Sequence, residues 1–375
     1  MPWKVKPMSQ LRAAFVHAVQ SEHLPIAQAC RQFGISRKTG YKWLRRAQQP
    51  AGCSFQDQSR RPHCSPSHTA ASIEERILAL RDECGWGARK LRAVLLRHGE
   101  SAPSIRTVHA VLQRHQRLAA PPPAPPELQS FVRSKPNELW QLDFKGPLEI
   151  QRQRIHPLSV LDDHSRFLLG LHACTEITFA AAWSLLWDLF GEFGLPEAIL
   201  CDNFFAARNS GIGLSAFDAK LLRLDIRPIH GRPYHPQTQG KVERFHGTLQ
   251  RELWPSIRRD NLTHFEHDLQ HWRTRYNTLR PHEALNDQPP QRCWQPSLRR
   301  RPARLPDVAY PSGSVLRRVG ANGEACWRGS RILVGWGLAG QTVRIEESEH
   351  ELAIFYARHC VRRLARSELR PRRML

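Results

Sequence analysis

A chain of 375 residues with 56 Lys and Arg against 34 Asp and Glu carries a formal charge of +22, spread along its length. That excess is well above the magnitude of about 2–8 that keeps a small domain soluble, and it points to a polyanionic partner. Membrane insertion and secretion are excluded as expectations, because no run of about 18 apolar residues and no apolar signal core occurs; a cytoplasmic protein is expected. Nine cysteines, odd in number and without a Cys-x-x-Cys pair, predict reduced thiols and no disulfide framework. Cys53, His63, Cys64 and His68 match no standard zinc-finger spacing.

The length suggests two to four domains. Residues 1–50 read as a helix-turn-helix domain of three helices between Gln10 and Arg46. Its second helix presents Ile26, Ala29, Cys30 and Phe33 on one face, Gly34-Ile35 makes the turn, and Ser36 caps the third helix. Such a helix enters the major groove, so Arg37, Lys38, Lys42 and Arg45 are expected on DNA. Gly40 inside it costs on the order of 1 kcal/mol against Ala and has no reason visible in the sequence. Residues 51–70 form a Ser/Pro/Arg-rich linker. Residues 71–118 read as a second trihelical unit, with stripes of Ile73, Ile77 and Leu80, of Leu91, Val94 and Leu95, and of Val108, Val111 and Leu112. Its third helix is capped by Ser104, and Arg89, Lys90 and Arg106 lie on its polar faces as further DNA contacts. Five prolines between Ala119 and Glu127 make residues 119–130 a semi-rigid spacer.

From Leu139 the texture changes to alternating strands and helices over residues 131–295. The strand of Asp143, Ile155–Asp162 and Phe167–Cys174 suit an antiparallel meander; Thr178–Phe193 reads as a helix ending at Gly194. A buried strand Ala198–Cys201, a helix Ser215–Leu224, a strand Asp225–His230 and a helix Lys241–Trp254 follow. Residues 305–365 alternate apolar and polar positions between glycines, which predicts a small five-stranded β-barrel.

Three carboxylates stand out. Asp143 lies in the strand-like Leu139-Trp140-Gln141-Leu142-Asp143-Phe144, Asp202 follows the apolar run Ala198-Ile199-Leu200-Cys201, and Glu243 opens a helix in Gly240-Lys241-Val242-Glu243. Cutting and joining DNA calls for two hard cations held about 3.5–4 Å apart. Magnesium takes oxygen ligands, with one or two protein carboxylates per ion. On the Glu243 helix, Val242, Phe245, Leu249 and Leu253 form the buried stripe; Lys241, Arg244, Thr248 and Arg251 form a basic stripe suited to phosphates, while Glu243 lies with His246 and Gln250.

The stretch Gly231-Arg232-Pro233-Tyr234-His235-Pro236-Gln237-Thr238-Gln239-Gly240-Lys241-Val242-Glu243-Arg244-Phe245-His246 resembles the catalytic motif of insertion-sequence transposases with a retroviral-integrase-type core. The resemblance extends to Asp162-Asp163-His164-Ser165-Arg166, Cys201-Asp202-Asn203, Tyr276-Asn277 and Arg280-Pro281-His282, and it covers nearly the whole chain. It implies a ribonuclease-H-like core, a mixed five-stranded sheet with helices, in which Asp143, Asp202 and Glu243 are the Asp-Asp-Glu triad. It implies two Mg²⁺ or Mn²⁺ ions, with Asp143 bridging both, Asp202 on one and Glu243 on the other. His235, Lys241 and Arg244 are expected at DNA phosphates. Double-stranded DNA, both element ends and target, is the expected partner, with the chain acting as a homo-oligomer and without a membrane.

Two departures from the family stand in this sequence. Phe204-Phe205 follows Asn203 where the family has Gly, and a phenylalanine does not adopt positive φ cheaply, so the adjoining loop is expected to differ. The N-terminal His/Cys zinc unit of retroviral integrases is absent and the helical units stand in its place. Other chemistries find less support: no Gly-x-x-x-x-Gly-Lys-Ser/Thr loop and no Gly-x-Ser-x-Gly elbow occur, and Tyr234 lacks the companions of a recombinase nucleophile. A DNA-binding regulator that has lost turnover is opposed by the intact triad but left open by Phe204.

Overall fold

Caps and close helix approach shape the first unit. The computed structural model describes residues 7–48, 55–57, 68–118, 132–202, 205, 214–230 and 240–368. The chain divides into two compact units, residues 1–68 and 69–375. In the first, α1 (Met8–Gln20), α2 (Ile26–Gln32) and α3 (Arg37–Ala47) close over Phe15, Val16, Ala29, Cys30 and Trp43. Ser36 Oγ accepts the Thr39 N–H at 3.2 Å, the N-cap that the sequence predicts. Gly40 now has its reason. A Cβ there would sit 2.7 Å from Cys30 Sγ and 2.9 Å from Phe15 Cζ, so only glycine lets α3 lie this close to its neighbours.

The second unit opens with α4 (Ala71–Cys84), α5 (Ala88–Arg97) and α6 (Ile105–Arg114). Their predicted stripes form one core around Ile77, Leu91, Leu95, Val108 and Leu112, with Ile73 only partly buried against it. Ser104 Oγ caps α6 through the Thr107 N–H at 3.1 Å.

The central sheet is built from β1 (Trp140–Phe144), β2 (Leu148–Ile150), β3 (Gln153–Asp162), β4 (Leu168–Cys174), β5 (Ala198–Cys201) and β6 (Arg227–His230). Its order is β4-β3-β1-β5-β6. β3 runs antiparallel to both β1 and β4, β5 and β6 run parallel to β1, and short β2 turns back on the start of β3. Side chains alternate between the faces of the strands. Trp140, Leu142, Leu158 and Val160 therefore pack against α7 (Phe179–Phe193) and α8 (Ala216–Arg223). Ile155, Leu161, Leu168 and Leu171 pack on the other face against α9 (Gly240–Glu252) and α10 (Leu262–Thr278). The predicted stripe of α9 is buried throughout: Val242, Phe245, Leu249 and Leu253 are 0–6% exposed. Helix α10 was absent from the sequence reading. Its signal is there: Asn261 caps it through the His264 N–H, and Phe265, Leu269, Trp272 and Tyr276 recur at helical spacing.

The C-terminal segment corrects the expected barrel. β7 (Val315–Arg318), β10 (Thr342–Glu347), β11 (Glu351–Tyr356) and β12 (His359–Ala365) form an antiparallel sheet in the order β12-β11-β10-β7, while β8 (Glu324–Trp327) and β9 (Ser330–Leu333) pair only with each other. No closed barrel forms among the described residues, because the ladder never links the hairpin to the sheet. The alternation of apolar residues reports which face of a strand is buried and carries no information on closure. The open side is covered instead by α8, whose Ala219 and Leu222 share a core with Val343, Ile345 and Ile354. The contact is tight at Gly337, where a Cβ would fall 2.0 Å from the Ser215 carbonyl carbon.

Candidate active site

Strand register brings two of the predicted carboxylates side by side. Leu142 and Cys201 are partners in the parallel pairing of β1 with β5, so Asp143 and Asp202, one residue further on each, leave the same end of adjacent strands. Helix α9 crosses this end of the sheet on the face opposite to Trp140 and Leu142. Gln141, buried on that face, accepts the Val242 N–H at 3.3 Å and ties β1 to the first turn of α9, the turn that carries Glu243.

The three charges act on one another. Burial pushes the Asp143 carboxyl up to about 7, with the neighbouring Asp202 and then Glu243 adding to the rise. Asp143 is thus an acid whose charged form is disfavoured by burial and by the two other carboxylates. Among the described residues no three acidic, histidine or cysteine side chains close into a ready-made cage. Asp143, Asp202 and Glu243 are among the described residues and do not form such a group.

The surrounding residues hold these carboxylates in place. Asp163, fully buried, accepts the Arg133 N–H (3.0 Å), the Gln141 amide (2.7 Å) and the Lys241 ammonium (2.5 Å), which clamps the start of α9 to the β3–β4 turn. Asp162 binds the Ser165 N–H and hydroxyl in the same turn, where Arg166 takes φ 61°. His246, one turn beyond Glu243, places Nδ1 3.4 Å from Asp143 Oδ2 and Nε2 2.9 Å from Ser159 Oγ. Burial, helped by Lys145, pushes its pKa down to about 3, so the ring is neutral. On the far side of the site, His230 hydrogen-bonds the Asp202 backbone and reaches Asp218 at 2.9 Å. Burial alone would lower the His230 pKa, but the Asp218 hydrogen bond and charge outweigh it and the net shift is upward. Asp218 also completes a capping box with Ser215 at the start of α8. Of these supports, sequence reading had marked the Asp162–Arg166 motif and the place of His246 beside Glu243. It had missed His230 and Asp218, which no motif spacing connects.

The predicted DNA residues fall into groups. Arg37, Lys38, Lys42 and Arg45 are exposed on α3, and Arg106 and Arg244 are exposed as well. Lys241 is half-buried on Asp163. Arg89 and Lys90 depart from expectation: Arg89 binds Glu283 and Asp287, and Lys90 lies 3.6 Å from Glu252, because α5 lies against the central domain instead of solvent. The basic stripe on α9 is interrupted too, with Thr248 buried and bonded to the Arg244 carbonyl. His235, Phe204, Tyr234, the cysteines at 53 and 64, and the proline-rich spacer lie outside the described residues. Phe205 is described: it is fully buried and stacks on Phe144 at 6.0 Å, so the second phenylalanine after Asp202 serves the core.

Comparison with known proteins gives two matches to an integrase core domain, over residues 133–236 and 224–290. A helix-turn-helix domain matches residues 11–63, and a homeodomain-like domain matches residues 39–112. An uncharacterized 39.2 kDa protein of insertion element IS476 from Xanthomonas euvesicatoria is 25% identical over 273 residues, 72% of each chain. An uncharacterized 31.7 kDa protein of insertion element IS407 from Burkholderia multivorans is 26% identical, covering 59% of this chain and 80% of that one. The Gag-Pro-Pol polyprotein of Mason-Pfizer monkey virus is 35% identical over 114 residues, 30% of this chain but only 6% of the polyprotein. Among solved structures, a chain of the simian T-cell lymphotropic virus intasome aligns with a TM-score of 0.38 at 18% identity, over 74% of this chain and 91% of that one.

Helix-turn-helix modules ahead of an integrase core define the class: a protein that binds DNA and rearranges its phosphodiesters, a polynucleotidyl transferase. The integrase core matches and the insertion-element relatives support an insertion-sequence transposase with a ribonuclease-H-like integrase core.

Proposed function

We propose that this transposase binds the terminal inverted repeats of its own mobile element, cleaves at the element's ends and joins the freed 3′ ends to target DNA. The observation that supports the reading is the match to an integrase core over residues 133–236 and 224–290, the segments that contain Asp143, Asp202 and Glu243. Asp143, Asp202 and Glu243 would hold two Mg²⁺ or Mn²⁺ ions. Such ions, when bound, activate the attacking oxygen and stabilise the leaving one.

The chain's own contribution is orientation. Gln141 and the Lys241–Asp163 pair fix the first turn of α9, and with it the direction of Glu243. Neutral His246 beside Asp143 offers a hydrogen-bonding ring without adding a charge to the acidic cluster. Sequence recognition rests with α3, through Arg37, Lys38, Lys42 and Arg45, and with the exposed Arg106 on α6. Arg244, together with His235 and Lys241, would guide the DNA backbone past the carboxylates. A homo-oligomer assembled on the DNA, pairing two element ends, suits a reaction that joins both ends to one target.

The test is Glu243→Gln on a labelled terminal-repeat duplex with Mg²⁺. The variant keeps its shape and one acceptor oxygen, so folding and DNA binding should be unchanged. Cleavage and joining should fall by at least about a hundredfold, since even residues behind metal ligands are worth roughly 10–100-fold. Equal product from both proteins would show that exposed Glu243 holds no metal. Retained binding with no product from either would favour a regulator without turnover.

A further inference from the structure

The second helical unit is not tethered to the catalytic domain by its linker alone; it is docked there by charge. On its α5, the Arg89 guanidinium takes both Asp287 oxygens through Nε at 3.0 and 3.1 Å and Glu283 through Nη1. Arg97 Nη2 donates to the Leu279 carbonyl at 2.8 Å, and Arg275 of α10 returns a bond to the Glu83 carbonyl of α4 at 3.2 Å. Deepest in the contact, Lys90 reaches Glu252, which also receives Arg280 at 2.9 Å. Glu252 and Arg280 are only 12% and 8% exposed in their side chains, so this node is largely removed from water.

Glu252 ends α9, the helix that begins with Glu243, so the arm is fastened to the element that carries a catalytic carboxylate. Every contact named is polar, and the buried cores of the arm and of the central domain remain separate. Exposed single ion pairs hold little, but a guanidinium gripping two carboxylates, beside a partly buried Lys–Glu–Arg node, fixes an orientation.

We propose that this docking makes the arm a ruler: it sets the distance between the DNA bound by the second helical unit and the catalytic carboxylates, and so determines which phosphodiester is cut. This inference rests on the cleavage function proposed above. It assigns Arg89 and Lys90 to positioning, away from DNA.

The test uses the full chain. Arg89→Glu faces two carboxylates and should undock the arm. Combining it with Glu283→Lys and Asp287→Asn restores opposite charge across the contact, and asparagine tolerates the left-handed backbone held at Asp287 (φ 60°). Without DNA, Arg89→Glu should lower the melting temperature and the compensated variant should recover it. On a terminal-repeat duplex, the wild type should cut at one phosphodiester. Arg89→Glu should spread cutting over neighbouring positions, with total product within about threefold, and the compensated variant should return to a single cut. Identical cut positions in all three proteins, or a melting temperature that the compensating changes fail to restore, overturns the ruler. A wild type that binds but never cuts counts against the catalytic reading and the ruler together, which distinguishes that failure from the ruler's own.

Discussion

The two helical units share a design and diverge in what they do with their charge. Both end in a helix capped by Ser-x-x-Thr, at Ser36 and at Ser104, with the serine hydroxyl 2.9 Å from the threonine hydroxyl in each. In the first, Arg37, Lys38, Lys42 and Arg45 of α3 are exposed and the unit is compact by itself. In the second, α5 turns Arg89, Lys90 and Arg97 onto carboxylates and carbonyls of the central domain, and the arm belongs to one compact unit with it. Basic residues on a helix therefore do not identify a DNA-binding face. What opposes them decides: solvent leaves a charge for phosphate, whereas a packed acidic neighbour makes it an interdomain contact.

The largest effect expected on this contrast is at Arg280. Arg280→Ala leaves Glu252 largely buried with only Lys90 beside it, and breaking such a pair should cost about 3 kcal/mol of stability in the second unit. Denaturant unfolding measures it, and a loss below about 1 kcal/mol would show that water screens the node. Next comes the charge itself. Lys38→Ala with Lys42→Ala should weaken terminal-repeat binding about tenfold or more and lower the salt slope by about two unit charges. Arg89→Ala with Lys90→Ala should leave that slope within about half a unit, and equal slopes for the two pairs would erase the distinction drawn between the arms.

A pH experiment sharpens it further. His282, packed beside Arg280 and Lys90, has its pKa pushed down to about 2 by burial first and by Arg280, Lys90 and Arg166 after it. Its unfolded form takes a proton below the ordinary 6.5, while the folded form does not, so stability present above that pH is lost as the solution is acidified. The loss approaches about 1.4 kcal/mol per pH unit, and His282→Gln should remove it from the acid limb of the second unit's stability curve. Parallel curves for wild type and variant would refute the assignment. The smallest effect lies in the first unit. Gly40→Ala gains helix propensity worth roughly 1 kcal/mol but forces a methyl against Cys30 and Phe15, at a cost of about 1–3 kcal/mol. The net loss, on the order of 1 kcal/mol, should appear as faster amide hydrogen exchange across residues 8–47, and slower exchange would show that α3 can move away.

Most elements of this protein were legible locally, because a cap and an apolar period are properties of a few neighbouring residues. Ser36, Ser104, Thr178 and Ser215 each begin a helix where the sequence says one begins, and the buried stripe of α9 falls on the four predicted residues. Helix α10 was overlooked although it obeys the same rules. The carboxylates were legible for a different reason: they stand in a long motif whose spacing resembles a family. The sequence alone thus determined most of the helices and strands and the resemblance to a family. It could not determine closure of the C-terminal sheet, since alternation reports a buried face and not the partner of an edge strand. Nor could it determine the state of Asp143, the His230–Asp218 support, the reason for Gly40 or the docking of Arg89 onto Asp287 across 198 positions of chain. Those depend on distance and on the water displaced between residues far apart in sequence, and only the tertiary structure fixes either.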